Sequence, residues 1–131
     1  MARPARNRPT DGELEILRVL WEHGPATVRD VHDHLPGGRR KVGYTGVLKL
    51  MQIMTDKGLV RRDESQRTHV YEARSSEEHT QRRLVKDLLD RAFGGSAQKL
   101  VLQALSAKKA SPQEIAEIRS LLDELERGKP S

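Results

Sequence analysis

The stretch GYTGVLKLMQIMTDKG, residues 43–58, decides how this chain folds. At the helical period Val47, Leu50, Met51 and Met54 fall on one side, while Thr45, Lys49, Gln52 and Asp56 fall on the other. The spacing predicts a helix with one buried and one presented face, ended by Gly58. A polar outer face is common on surface helices, so its neighbourhood carries the weight. Arg39, Arg40 and Lys41 stand just before it, and LVRRDESQRTHVYEA after it reads as two short strands around a polar turn. A helix followed by a hairpin, both basic, predicts a winged helix-turn-helix that meets DNA. The competing reading is a surface helix whose charge only keeps it soluble.

Length and composition narrow the class. A chain of 131 residues has room for one domain, or for a small domain with an appended helical piece. With 35% hydrophobic, 33% charged and 3% aromatic residues, it is more polar than an average globular chain. That suits a small helical protein whose subunits complete their cores by association. The net charge of +5 favours a polyanionic partner, and its placement is more telling than its size. Residues 1–36 and 75–131 are nearly balanced, so the excess lies in residues 37–74, the central helix, its approach and the hairpin. A footprint on phosphates has this distribution.

Several classes fall away. There is no cysteine, hence no disulfide, thiolate metal site or cysteine nucleophile. No apolar run is long enough for a bilayer, and the Arg-rich start ARPARNRP lacks the apolar stretch of a signal peptide, so a soluble cytoplasmic protein is expected. No nucleophile-base spacing, HExxH pair or glycine-rich phosphate loop is present, which predicts no enzymatic activity and no cofactor. His32 and His34 are two residues apart; on a helix they project away from each other and would not share a metal.

In chain order, residues 1–9 are expected to form a disordered basic arm. Thr10 and Glu13 have capping-box spacing and start a helix with Leu14, Leu17, Leu20 and Trp21 inward, stopped by His23-Gly24-Pro25. Thr27 and Asp30 repeat the signal for a short helix carrying Val28, Val31 and Leu35. After the central helix, whose first amides at Tyr44 and Thr45 could meet a phosphate, Leu59 and Val60 open one strand and residues 68–73 return, with residues 63–67 as the wing tip. Arg67 there favours contact with the DNA backbone, whereas Asp63 and Glu64 oppose it. Ser75 and Glu78 are the expected cap of a helix bearing Leu84, Val85, Leu88, Leu89, Ala92 and Phe93, ended by Gly94-Gly95. Ser96 opens the next, with Leu100, Val101, Ala104 and Leu105. Ser111-Pro112-Gln113-Glu114 opens the last, with Ile115, Ile118, Leu122 and Leu125.

Three amphipathic helices in some 55 residues cannot close a comfortable core alone. The expected architecture is therefore mainly α with a small β wing: a winged helix-turn-helix over residues 10–74 and a C-terminal helical dimerisation domain over 75–131. Leu84, Leu88, Leu89, Phe93, Leu100, Val101, Leu105, Ile115, Ile118 and Leu122 would face the second copy. The alternative is a monomer whose last helices fold back on the first.

The blocks ELEILRVLWEHGPATVRDVHDHL, GYTGVLKLMQIMTDKGLVRR, HVYEA, LVKDLLDRAFGGS and SPQEIAEIRSLL, in this order, resemble the BlaI/MecI/CopY family of bacterial transcriptional repressors. The resemblance implies a dimer on operators with inverted TACA/TGTA-like half-sites. Where the family has Tyr-Thr-Thr at the start of the recognition helix, this chain has Tyr44-Thr45-Gly46, which leaves the half-site open. Members inactivated by a signal-transducing membrane metalloprotease share an Asn-Phe bond; the matching positions are Gln103-Ala104, so cleavage there is unsupported. Copper-responsive members end in cysteine pairs, and this chain has none.

The expected function is a homodimeric, sequence-specific DNA-binding repressor. Thr45, Lys49 and Gln52 would meet base edges or nearby phosphates, with Gly46 between them, and Arg39, Arg40, Lys41, Tyr44 and Arg67 would hold the backbone. The runner-up is a winged-helix module that docks another protein.

Overall fold

The computed structural model describes residues 8–36 and 43–128. Among them are six helices and one two-stranded sheet: α1 (Asp11–His23), α2 (Val28–His34), α3 (Gly43–Lys57), β1 (Val60–Asp63), β2 (Val70–Ala73), α4 (Glu77–Ala92), α5 (Ala97–Ala107) and α6 (Pro112–Glu126). The chain divides into two compact units, one running to Val85 and the other beginning at Lys86.

The first unit holds the core. Thr10 caps α1 by a reciprocal box: its hydroxyl accepts from the Glu13 amide at 3.3 Å, and Glu13 Oε1 accepts from the Thr10 amide at 2.9 Å. Thr27 and Asp30 cap α2 in the same way. Ile16, Leu17, Val19 and Leu20 of α1, Val28 and Val31 of α2, and Val47, Met51 and Met54 of α3 bury one common interior with Leu35, Val60 and Tyr71. Each such side chain contributes about 1.5–3 kcal/mol through the apolar surface it removes from water. Leu50 packs at the margin of this core, and Asp56 lies exposed on the far side of α3.

The end of α3 is fixed by a Schellman turn. Leu59 N–H donates to the Met54 carbonyl at 2.9 Å and Gly58 N–H to that of Thr55 at 3.1 Å, with Gly58 at φ +81°. Glycine supplies that backbone without a Cβ penalty, and Leu59 comes to rest against the core.

The hairpin pairs Val60 with Ala73, Arg61 with Glu72, Arg62 with Tyr71 and Asp63 with Val70. It is shorter than the expected return over 68–73, because Thr68 and His69 are exposed and outside the ladder. It gains instead a connection that hydropathy does not signal. Ala26, between α1 and α2, exchanges two hydrogen bonds with Tyr71, N–H to O at 2.9 Å and back at 2.8 Å. The buried Tyr71 therefore lies on a strand held from both edges.

The expected cap of α4 is off by one residue. Ser76, not Ser75, accepts from the His79 amide, at 3.0 Å. The Ser75 carbonyl receives the Trp21 indole N–H at 2.9 Å, and Glu78 pairs with Arg82. A tertiary bond to α1 thus displaces the start of the helix.

In the second unit Ser96 and Ser111 cap α5 and α6 as expected, with Pro112 in the first turn of α6. None of its described residues is buried. Leu88, Val101, Leu105 and Leu122 are each more than a third exposed, while Leu89, Phe93, Leu100, Ile115 and Ile118 are half-buried. In the first unit Leu84 is half-buried and Val85 exposed.

Candidate nucleic-acid interface

Helix α3 stands on a packed base. Val47, Met51 and Met54 are 0% exposed, which fixes the rotation of the helix about its axis. The opposite face then presents Thr45, Lys49 and Gln52 to solvent, with Gly46 half-buried between them. Tyr44, in the first turn, is 43% exposed. Arg39, Arg40 and Lys41, the expected approach to this face, lie outside the described residues.

The far end of α3 is tied to the start of α1. Lys57 Nζ donates to Glu13 Oε1 at 2.7 Å and to the Arg8 carbonyl at 3.4 Å. The Glu13 side chain is 3% exposed and that of Lys57 is 22% exposed, so the pair is largely shielded from water. One carboxylate thereby closes the cap of α1 and anchors α3.

The wing tip resolves its mixed charge internally. Asp63 Oδ1 accepts from the Ser65 amide at 2.9 Å, and that bond, with help from the Ser65 hydroxyl, holds the carboxyl below its usual range. Glu64 accepts from Arg62, Nε at 2.7 Å and Nη2 at 2.6 Å. The Arg62 guanidinium is pushed above its ordinary value by hydrogen bonding to Tyr71 first and to Glu64 second. Both acids flanking the turn are thus engaged, and Arg62 with them. Arg67 is exposed and makes no ion pair with another described residue.

One contact had no sequence signal. The Arg29 guanidinium of α2 lies over the Tyr44 ring, 5.4 Å from its centroid, joining the first turns of α2 and α3. Fifteen positions separate the two, beyond any local spacing rule.

The histidines assemble differently from the pair considered in the sequence. His34 Nδ1 bonds the Asp30 carbonyl at 2.8 Å and its ring lies against that of His23, centroids 4.1 Å apart with the planes tilted by 40°, while His32 turns toward Asp33. Among the described residues no three His, Asp or Glu side chains gather as a metal site, and no helix is long and apolar enough to cross a membrane.

A helix packed on α1 and α2, followed by a hairpin laced back to the loop between them, is the winged-helix arrangement. The model of the penicillinase repressor family matches residues 9–124. The chain belongs to that family. It is similar to a transcriptional regulator BlaI of Mycobacterium tuberculosis, 30% identical over 120 residues that cover 89% of this chain and 86% of that protein. It is also similar to a penicillinase repressor of Bacillus licheniformis, 26% identical over 118 residues covering 88% and 89% of the two chains. Within the penicillinase repressor family this chain is a transcriptional repressor and not an enzyme, as the sequence reading expects.

Proposed function

We propose that the chain represses transcription as a homodimer seated on an inverted-repeat operator. Residues 10–74 form the DNA-binding domain and 75–131 the dimerisation domain. Thr45, Lys49 and Gln52 enter the major groove, where a lysine suits guanine O6 and N7 and a threonine methyl suits thymine. Arg39, Arg40, Lys41, Tyr44 and Arg67 contact phosphates, which sets register without reading sequence. Leu84, Leu88, Leu89, Phe93, Leu100, Val101, Leu105, Ile115, Ile118 and Leu122 meet the second copy. A twofold pair of recognition helices then reaches half-sites about 34 Å apart, or a multiple of that, along the duplex.

The observation that carries the reading is the division of α3. Val47, Met51 and Met54 are fully buried while Thr45, Lys49 and Gln52 stand in solvent, so the polar side is held outward. The bare second unit supports the dimer, since its described residues bury no side chain.

Footprinting on the DNA upstream of the chain's own coding sequence tests the proposal, with sedimentation in parallel. The expected result is protection of an inverted repeat by a dimer. A concentration-independent monomer, or binding without salt dependence, would overturn it.

A further inference from the structure

We infer that Arg29, on the first turn of α2, is a DNA-phosphate contact that uses the Tyr44 ring as its platform. The inference rests on the DNA-binding reading above and extends the interface to a second helix. Arg29 is exposed, and it makes no ion pair or side-chain hydrogen bond with another described residue. Its guanidinium is nonetheless placed, 5.4 Å from the centroid of a ring that is itself 43% exposed and adjacent to Thr45. A guanidinium near an aromatic ring makes no hydrogen bond to it and keeps its N–H donors for another partner, and its planar fork matches a phosphate in a way that an ammonium cannot. Contact with the ring also limits the rotamers available to a long side chain, so less freedom is given up when an anion is met.

The local acids oppose this contact weakly. Asp30 Oδ2 accepts from the Thr27 amide at 3.4 Å within the α2 cap, and Asp33 lies 3.4 Å from His32 Nδ1. Neither forms an ion pair with Arg29. At the opposite end of the same helix-turn-helix the charge is already committed, because Lys57 is held by Glu13. Among the described residues, the cation seated against Tyr44 is Arg29.

The test uses the full-length chain and two fluorescein-labelled duplexes of about 30 base pairs, one of mixed sequence and one with inverted TACA/TGTA half-sites, long enough for two half-sites one turn apart. Anisotropy titrations over a range of salt give the slope of log K against log salt. Arg29→Gln is expected to weaken both duplexes by the same factor and to lower the slope by about 0.9 for each phosphate no longer neutralised, once per protomer. Arg29→Lys should keep the slope yet bind less tightly. Tyr44→Leu, made alone and together with Arg29→Gln, should leave little difference between the single and the double variant, since the arginine has then no platform. Circular dichroism melts check that the exposed substitutions leave folding intact. An unchanged slope in Arg29→Gln overturns the inference, and so does weaker binding with the slope retained, which would make Arg29 only a support for Tyr44. If the unsubstituted chain shows no slope, the DNA-binding reading itself fails.

Discussion

Glu13→Gln isolates the tie between α1 and α3. The amide keeps an oxygen that can accept from Thr10 N–H, so the capping box survives in outline, and the volume hardly changes. What disappears is the charge facing Lys57 Nζ at 2.7 Å. A hydrogen bond between charged groups contributes about 1.5–3 kcal/mol. Removing one member of a fully buried pair costs about 3–5 kcal/mol. Lys57 is 22% exposed and can turn toward water, which places Glu13→Gln at the lower end, at about 2 kcal/mol. Glu13→Ala also loses the reciprocal cap, worth about 1 kcal/mol more.

The assay is urea unfolding at one fixed protein concentration, since the midpoint of the proposed dimer would depend on concentration. With a slope of about 2 kcal/mol per molar urea, Glu13→Gln should move the midpoint down by about 1 M. Lys57→Met and the double variant complete a cycle, whose expected coupling is about 1–2 kcal/mol. A coupling below about 0.3 kcal/mol would refute the argument, because it would leave the ion pair without energetic content. The same variants test function, for a loosened end of α3 should raise the dissociation constant for operator DNA even where the protein is fully folded.

Four further outcomes follow from the same geometry. Lys49→Ala, on the exposed face, should narrow the affinity gap between operator and mixed-sequence DNA by about 1–3 kcal/mol, read from paired anisotropy titrations. Met51→Ala, at a position with 0% exposure, should cost about 2–5 kcal/mol in urea unfolding. The Asp63 carboxyl is lowered by Ser65, so its contribution is present above the ordinary carboxylate range and is lost as pH falls through the depressed folded value. The Ser65 amide resonance should therefore shift in acid below that ordinary range, and Asp63→Asn should abolish the titration. Leu122→Glu, on a side chain 56% exposed in the chain alone, should turn the proposed dimer into monomer in sedimentation velocity without unfolding the first unit.

Much of the fold was legible because it rests on local signals. Thr10 with Glu13, Thr27 with Asp30, and Ser111 before Pro112 mark helix starts, and the structure uses all of them. The faces of α3 were legible from the positions of Val47, Met51 and Met54 alone. Features that depend on distant partners were not. Ser75 has the spacing of a cap, yet its carbonyl is claimed by Trp21, and the helix begins at Ser76 instead. Ala26 gives no hint of a strand until Tyr71 is beside it. In the site, Thr45, Lys49 and Gln52 could be assigned to one face by period, whereas Arg29 enters only through the packing of α2 on α3. The acids of the wing tip show the same limit: composition counts Asp63 and Glu64 against DNA, and geometry gives each, though exposed, a partner of its own in Ser65 and Arg62.

The contrast between the two units bears on how a repressor of this kind could be controlled. In the first, Ile16, Val31, Val47, Met51 and Met54 are fully buried, so the shape of the proposed DNA-binding head is set within one chain. In the second, Leu102, Leu122 and Leu125 are each more than half exposed, so on the proposed dimer its apolar surface is completed only by another copy. Whatever lowers the concentration of intact partner weakens that association by mass action. Each head would remain folded and would still hold a few phosphates, but it would lose the second half-site and with it the multiplied affinity that two linked contacts provide. On that proposed dimer, release from DNA would require no change in Thr45, Lys49 or Gln52; loss of the partner would be sufficient.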